Sequence, residues 1–499
     1  MRVWLFLVPL VFSSCSFTKF AFTSCDMNQE CRDAFGWGYV CAEQLCQEVA
    51  PIARCNQTYP EDLFSDVDGN RDRIILGVLF DQSQFDVESK AAEFAIDEVM
   101  DAGDLGPRGF GAVVCTNEEA AHLDSLSQDQ ANILVSEYLA DQVGVAAIIG
   151  PASSDRVQDV FETVEPFGTL VMSPTATSTS LTPLDGATST NAEPGLLWRT
   201  APLDDLQAVE LATLMLADGM ETVAIIAEKG NYGSALGSMV KSTFEEQGGT
   251  ATFVPYESGA DDHLTKISEV EHMGVDGVAF ISANKDDTEY FLQKVASSAA
   301  DIDYVCDNID MCPFEDGGAG IYLADGGQDL RIFNAVDGIA RVLDRIHGTG
   351  PAPEPSTVYN VFVDSFDAEF GDGMAESTNF SAYSYDAAWL VLYGAAWAYF
   401  NEAAVDGLGI ARGLKNVSHS HEATKQVDIS RNSWTTVRTE FQAAQPINVK
   451  GASGDLDYDA STGEITSAYF AYWCVTEAGG ELTFGNVIHP DGGSPRCED

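Results

Sequence analysis

From Arg73 onward, the chain alternates short apolar runs with amphipathic stretches, and this alternation limits the folds that the sequence can adopt. RIILGVLF (73–80) is apolar almost throughout, whereas AAEFAIDEVMDAG (91–103) carries apolar residues at helical spacing. GAVVC, VAAIIG and TLVM continue the pattern, with helical segments between them. Strands that are apolar on both faces and alternate with helices indicate parallel βαβ units. The expected fold class is therefore α/β, with mostly parallel sheets flanked by helices.

The same rhythm restarts after Trp198, which indicates a second α/β lobe. TVAIIAE, ATFVPY and GVAFIS are its strand candidates, again separated by helical segments. A later section around YSYDAAWLVLYGAAWAYF has too few apolar runs for a third sheet, so it is expected to complete the two lobes. The first lobe is expected to comprise residues 73–198 and about 350–448, and the second 199–349 and about 449–499.

The N-terminal region is expected to be an export signal followed by a small module. Residues 1–15 combine one basic residue, Arg2, with an apolar run that is too short to span a bilayer as a mature helix. The run ends in FSSCS, which resembles a bacterial lipobox and makes Cys15 the expected site of lipidation and membrane anchoring. An ordinary cleaved signal is the alternative. Residues 16–72 form the expected Cys-rich segment and linker.

Cysteine usage predicts a disulfide-bonded protein. Setting Cys15 aside leaves ten of the 11 cysteines, an even number in a chain that is expected to be exported. The N-terminal cluster has little apolar content, so it needs crosslinks to hold a shape, and its spacing does not match the paired ligands of a zinc site. The expected bonded residues are Cys25, Cys31, Cys41 and Cys46 within one cluster, Cys306 with Cys312, Cys474 with Cys497 and, by elimination, Cys55 with Cys115.

The charge of the chain argues against several classes of partner. Its 78 acidic and 25 basic residues give a formal net charge of −53, spread along the whole sequence. Such a field repels nucleic acid and anionic lipid headgroups, so no nucleic-acid partner is expected. The favoured interpretation is an acidic, well-hydrated surface adapted to a salty medium, where screening shortens the reach of like-charge repulsion.

Two hydroxyl-rich segments follow neighbouring predicted strands. Ser153 and Ser154 stand between VAAIIG and a helix, and SPTATSTS (173–180) comes directly after TLVM. A hydroxyl at a helix start often only caps free backbone N–H groups, yet the same helix start offers donors to a ligand carboxylate. Because ligands of open α/β sheets bind at the carboxyl ends of the strands, both segments are candidate ligand contacts.

The sequence carries no recognisable catalytic motif. None of its seven histidines lies in H-E-x-x-H, and no G-x-S-x-G elbow, Walker loop or dinucleotide fingerprint occurs. SHSHE (418–422) is expected to be a polar surface loop, and neither DVDGNRD (66–72) nor DLDYDASTGE (455–464) keeps the glycine and glutamate spacing of an EF-hand. The chain is therefore not expected to be an enzyme, and no cofactor or metal is expected.

Six segments follow one another along the chain: AAIIGPASSD, LVMSPTATSTSLT, EKGNYGSAL, YLADGGQD, SAYSYDAAW and INVKGASGDLDYDASTGE. Taken together and in this order, they resemble the type I periplasmic ligand-binding proteins, of the leucine/isoleucine/valine-binding and receptor-ligand-binding-region kind. The resemblance extends from about Arg73 to Val475 and implies two lobes that close on a small polar ligand. A family disulfide near the first lobe would use Cys115.

The resemblance also implies a set of ligand-binding residues. Two departures from the family pattern affect the expected site. Ala283 and Asn284 stand where amino-acid binders often carry an aromatic residue, and CDNIDMCPFEDGGAG (306–320) is inserted before Asp325. The implied contacts are Ser154, Thr175, Ala176 and Thr177 from the first lobe, Tyr232 as the aromatic residue of the second lobe, and Asp325 as the partner of a ligand ammonium.

By the same resemblance, the expected function is that of an extracytoplasmic solute-binding protein. It would capture an amino acid or similar molecule for an ABC-type transporter permease, as a lipoprotein on the periplasmic face of a bacterial membrane or in the periplasm. The alternative is a ligand-sensing receptor module that signals through a separate membrane partner.

Overall fold

A computed structural model provides the structure of most of the chain. The expected export signal with Cys15, the pair Cys306 and Cys312, and most of SHSHE lie outside the described residues. The described residues are 24–120, 122–185, 190–259, 262–300, 320–336, 345–402, 404–418, 424–459, 462–466, 468–478, 481–488 and 496–498.

The first sheet has six strands within the described residues and is parallel except at one edge. Ile74–Phe80 and Phe110–Thr116 are buried along their whole length, which explains their nearly continuous apolar sequence. The edge strand Gln57–Tyr59 pairs antiparallel. In spatial order the strands are Gln57–Tyr59, Phe110–Thr116, Ile74–Phe80, Ala147–Ile149, Leu170–Ser173 and Leu197–Arg199.

Helices flank this sheet and share one hydrophobic core with it. Ser381–Asn401 is buried over most of its length and packs against Asp86–Ala102, so its strongly apolar sequence reflects a central position in the first lobe. In the part of the chain that the structure describes, no helix has both the length and the apolar character to cross a bilayer. The described helices around this sheet are Asp86–Ala102, Gln128–Glu137, Ser154–Val164, Thr357–Phe370, Ser381–Asn401, Gly407–Leu414 and Trp434–Gln442.

The second sheet has eight strands within the described residues: the first five in spatial order are parallel and the remaining three are antiparallel. Hydrophobic clusters cover both of its faces. The strands are Thr250–Tyr256, Thr222–Glu228, Gly277–Ile281, Gly320–Leu323, Ile346–Pro351, Phe470–Ala478, Glu481–Ile488 and Arg496–Glu498, and the helices are Asp204–Ala217, Gly233–Glu246, Asp262–Glu271, Lys285–Ala300 and Arg331–Val336. Two α/β lobes, as expected, are thus observed.

The last boundary between the lobes lies further along the chain than the sequence predicts. Ala452, Leu456 and Ile465 are buried in the first core, and the chain joins the second sheet only at Phe470–Ala478. The sequence analysis expects the second lobe to begin again at about residue 449, and this expectation is wrong for the described residues 449–459 and 462–466. The physical reason lies in the turn-rich segment DLDYDASTGE, because its Leu456 is buried in the first lobe although the surrounding sequence is polar.

The N-terminal module is a helix, Asn28–Phe35, beside a short hairpin formed by Tyr39–Ala42 and Leu45–Glu48. Two disulfide bonds hold it together, with a connectivity that the sequence had left open. A third bond attaches the chain after the module to the first sheet, in the pairing that elimination predicted. The described disulfides are Cys25–Cys41, Cys31–Cys46, Cys55–Cys115 and Cys474–Cys497.

Candidate functional site

A small cavity lies between the two lobes, at the carboxyl ends of the parallel strands, and both polar and apolar side chains line it. Its volume is about 40 Å³, room for only a few water molecules, so the lobes are closed on each other and a larger ligand could enter only when they part. The lining residues are Phe85, Glu88, Ala152, Ser153, Ser154, Thr175, Thr378 and Phe380 from the first lobe and Tyr232, Ala283, Lys285, Asp325, Gly326 and Gln328 from the second.

Four of the six expected ligand residues line this cavity: Ser154, Thr175, Tyr232 and Asp325. Ala176 and Thr177 are buried next to Thr175 but do not line it. Residues from four segments, separated by up to about 170 positions in the sequence, are thus brought together by the two sheets.

Ser154 is the first residue of the helix Ser154–Val164, so the start of this helix borders the cavity. The preceding Ser153 is the N-cap residue, but its side chain makes no capping hydrogen bond. Ser154 Oγ accepts a hydrogen bond from Ser178 N at 3.3 Å, which joins the two hydroxyl-rich segments. The unpaired backbone N–H groups of a first helical turn favour an anion such as a carboxylate.

Arg199 holds the second hydroxyl-rich segment in place. Its Nη1 donates to the carbonyl oxygens of Ala176 at 3.1 Å and Ser178 at 2.7 Å. Its charge is balanced by a buried ion pair with Glu464, with Nε 3.1 Å from Oε2. The carbonyl of Ala176, one of the expected ligand contacts, therefore already accepts a hydrogen bond from a buried cation.

Tyr232 and Asp325 form a hydrogen-bonded pair on the second-lobe side of the cavity. The Tyr232 hydroxyl donates to Asp325 Oδ1 at 2.5 Å, and both side chains are buried. Burial raises the pKa of the Asp325 carboxyl, although hydrogen bonds from Tyr232 and Gln207 act in the opposite direction. Burial and the neighbouring Asp325 raise the pKa of the Tyr232 phenol well above its usual value. The phenol thus remains a donor, and the carboxyl is placed to gain from a nearby cation.

Asp204 is a further acidic residue near this pair that the sequence did not reveal. It begins the helix Asp204–Ala217, is fully buried, and has no hydrogen bond to either carboxyl oxygen among the described residues. Burial and Asp325 raise its pKa well above the ordinary value. Interaction with the neighbouring Thr177 hydroxyl acts in the opposite direction on this pKa, although the two side chains do not meet the geometry of a full hydrogen bond. In the sequence, LDDLQ only indicates the start of a helix, because acidic residues are common in a first turn.

Lys285 is a second residue of the cavity wall that the sequence did not reveal. Its ammonium donates to the Gln84 carbonyl at 2.6 Å, lies 3.0 Å from Asp329 and stands 4.6 Å from the centre of the Phe85 ring. Glu88, which also lines the cavity, is 3.9 Å away. Because Gln84, Phe85 and Glu88 belong to the first lobe, Lys285 joins the two lobes at one end of the cavity.

A second contact between the lobes is centred on Asn231. Its backbone N–H donates to Asp155 Oδ1 at 2.8 Å, its side-chain amide donates to Gln158 at 2.7 Å, and its carbonyl accepts from Ser178 Oγ at 2.6 Å. The first-lobe partners belong to the two hydroxyl-rich segments and to the helix that follows the first of them. Closing the lobes therefore brings the second lobe into direct contact with these segments.

Two α/β lobes that close over a small cavity at the carboxyl ends of their strands define a two-lobed binding protein of the type I periplasmic class. The sequence pattern of the family described as "Receptor family ligand binding region" matches residues 87–469, and the chain belongs to this family.

Individual relatives are more distant. The leucine-, isoleucine-, valine-, threonine- and alanine-binding protein of Pseudomonas aeruginosa is 26% identical over 198 residues, which cover 39% of this chain and 48% of that protein. The match thus spans about half the length of this curated relative.

Solved structures share the fold at low identity. The leucine-binding protein LivK of Thermotoga maritima has a TM-score of 0.60 at 17% identity, over 84% of this chain and 99% of its own. A solute-binding protein of an ABC transporter from R. palustris, in complex with 4-hydroxybenzoate, has a TM-score of 0.62 at 15% identity, over 84% of this chain and 99% of its own.

Proposed function

We propose that this chain is an extracytoplasmic solute-binding protein that captures a small polar ligand, an amino acid or a similar molecule, between its two lobes. The observation that carries the proposal is the buried Tyr232–Asp325 pair, which shares a cavity with Ser154 at a helix start. One part of the cavity thus favours an ammonium group and another favours a carboxylate.

This arrangement selects for a zwitterion. The carboxylate would accept hydrogen bonds from Ser154 and the first turn of its helix, and the ammonium would donate to Asp325. Closing the lobes removes both charges from water, which is costly unless each charge is paired. A molecule that lacks either group would leave a buried polar group without a partner, so it would be rejected.

Delivery to a membrane transporter is the role that the relatives support. The Pseudomonas aeruginosa protein is named for the amino acids that it binds, and the R. palustris protein belongs to an ABC transporter. In this proposal the chain is exported and anchored through Cys15, and the closed lobes present the ligand to a permease.

The test begins with mass spectrometry of small molecules released from gently purified protein, followed by calorimetric titration of the molecule identified. Asp325→Asn should weaken its binding by about tenfold to a hundredfold, because a charge-assisted hydrogen bond contributes roughly 1.5–3 kcal/mol. Asp205→Asn is the control: Asp205 is exposed in the first turn of the helix Asp204–Ala217, so this variant should bind the ligand as the wild type does. Equal affinities for Asp325→Asn and the wild type would refute the assigned ammonium site.

A further inference from the structure

A second and larger cavity lies at the other end of the first sheet, where the Cys-rich module meets the first lobe. Its volume is about 660 Å³. It is bordered by the module helix Asn28–Phe35, by residues at the starts of the strands Ile74–Phe80 and Leu170–Ser173, and by the start of the helix Gly407–Leu414. The cavity between the lobes lies at the carboxyl ends of the same strands, so the two sites are separate.

Four arginines line this second cavity: Arg32, Arg71, Arg73 and Arg108, here called the arginine groove. The concentration is unusual because the chain has only 25 basic residues against 78 acidic ones. Three carboxylates, those of Asp33, Asp72 and Asp406, also line the cavity. Four positive and three negative side chains thus line the cavity, on a molecule whose net charge is −53, and Asp141, which lies outside the lining, also acts on Arg32.

The pairing of these arginines differs from that of many others in the described chain. Arg71 has its nearest carboxylate at 3.8 Å, on Asp72, and none of Arg32, Arg73 and Arg108 has one within 4.0 Å among the described residues. By contrast, six arginines elsewhere each have a carboxylate within that distance: Arg54, Arg156, Arg199, Arg331, Arg412 and Arg431.

The hydrogen bonds of the groove arginines go to uncharged acceptors. Arg108 donates from Nε to the Asp72 carbonyl at 2.9 Å, and Arg73 donates to the Asn70 amide oxygen and the Phe110 carbonyl. Arg32 donates to the Asp141 carbonyl at 2.6 Å. These contacts orient the guanidinium groups without neutralising them, and both Nη atoms of Arg108 have no partner among the described residues.

Burial has a further effect on two of these groups. It lowers the pKa of the Arg32 and Arg108 guanidinium groups, although nearby carboxylates act in the opposite direction. The cost of holding these cations partly out of water would be offset by an anion that binds between them. The disulfide Cys31–Cys46 adjoins Arg32 in sequence and fixes the module helix that carries it.

We propose that the arginine groove is a binding site for a ligand that carries a phosphate group. Guanidinium groups present planar pairs of N–H donors that match the oxygens of a phosphate, and such charge-assisted bonds are among the strongest in proteins. The cavity is much larger than one phosphate ion, and Phe35 and Phe167 contribute apolar wall, so an organic phosphate fits it better than the bare ion. The same group could come from a soluble phosphate ester or from a lipid headgroup.

The first experiment is a calorimetric titration with inorganic pyrophosphate at about 0.15 M salt, where the Debye length of roughly 8 Å screens the distant acidic surface. We expect saturable binding to the wild type and at least a tenfold loss in Arg71→Gln/Arg108→Gln. Arg156→Gln is the control: Arg156 pairs with Asp129 near the carboxyl ends of the strands, outside the groove, and should leave binding unchanged. Arg71→Gln alone alters only an exposed side chain, so it tests the groove even if the double variant is less stable.

The second experiment separates the two sources of phosphate by sedimentation with vesicles of phosphatidylglycerol in phosphatidylcholine. Binding to the vesicles that the double variant loses identifies a lipid headgroup, whereas pyrophosphate binding without vesicle binding identifies a soluble ester. No saturable binding of either probe to the wild type, or equal binding by wild type and double variant, overturns the proposal. Neither result depends on the ligand between the lobes.

Discussion

At the scale of single residues, Glu228 shows how burial changes the chemistry of an acidic group. Its carboxylate accepts hydrogen bonds from Ser282 Oγ at 2.8 Å and Ala283 N at 2.9 Å. Burial raises its pKa from 4.5 to about 7. Because the folded protein holds this proton more tightly than the unfolded chain, the resulting contribution to the free energy of unfolding is complete below about pH 4.5 and is lost as the pH rises through 7.

Glu228→Gln should remove this dependence on pH. An amide can accept from Ala283 N and donate to Ser282 Oγ, so the variant keeps the local hydrogen bonds. We expect the variant to be more stable than the wild type at pH 8, by about 3 kcal/mol on the basis of the shift in pKa, with a smaller difference at pH 4. Urea denaturation at several pH values measures this. The exposed Glu246→Gln is the control, and parallel pH profiles for Glu228→Gln and the wild type would contradict the prediction.

Thr177 tests the hydroxyl-rich segment itself. Its buried hydroxyl lies beside the buried carboxyl of Asp204, and interaction with this hydroxyl lowers the pKa of that carboxyl in opposition to the effect of burial. If this hydroxyl binds the ligand carboxylate, Thr177→Ala should weaken binding by roughly tenfold to a hundredfold while leaving the melting temperature nearly unchanged. Thr179→Ala, two residues further on, is the control for the titration. Unchanged affinity in Thr177→Ala would mean that the segment only shapes the wall of the cavity.

The site could be predicted from the sequence only in part. Short contiguous motifs in the sequence contain four residues that line the cavity: Ser154, Thr175, Tyr232 and Asp325. Lys285 could not be found in this way, because its role depends on contact with Gln84 and Phe85 about two hundred positions earlier. A lysine near a helix start has no sequence signal that distinguishes it from a surface residue.

At the scale of elements, predictions succeeded where one pattern decides the structure. Ile74–Phe80 and Gly277–Ile281 are buried on both faces, so their apolar sequences indicate parallel strands directly. The edge strand Gln57–Tyr59 was not predicted. It has only three residues, and its place in the first sheet is fixed by antiparallel pairing with Phe110–Thr116 and by a disulfide bond rather than by its own apolar pattern.

That disulfide gives an element-scale prediction. Cys55–Cys115 closes a loop with a sequence separation of 60 residues, and Cys474–Cys497 closes one of 23. Loop-closure entropy assigns roughly 4 kcal/mol to the first and roughly 3 kcal/mol to the second. Cys55→Ala/Cys115→Ala should therefore lower the free energy of unfolding more than Cys474→Ala/Cys497→Ala does, as measured by urea denaturation. A larger loss in the second pair would show that local packing, and not loop length, decides the contribution.

At the scale of the whole molecule, the closed arrangement follows from contacts that cross between lobes, such as Lys285 with Gln84 and Asn231 with Asp155. The sequence predicted two lobes because the strand and helix rhythm restarts after Trp198. The sequence could not predict where the chain passes from the first lobe to the second for the last time. The position of that crossing depends on a few buried residues in a polar segment, such as Leu456.

The net charge of −53 gives the last prediction, because it acts on the whole folded molecule. Compacting so many carboxylates raises their mutual repulsion, whereas the exposed ion pairs contribute only about 0–1 kcal/mol each and offset little of it. Raising NaCl from about 0.01 M to about 1 M shortens the Debye length from roughly 30 Å to 3 Å, so the melting temperature should rise. KCl should have the same effect if screening is the cause, and sucrose at equal osmolality controls for solute exclusion. A melting temperature that stays constant or falls with salt would mean that the acidic surface is already neutralised within the fold.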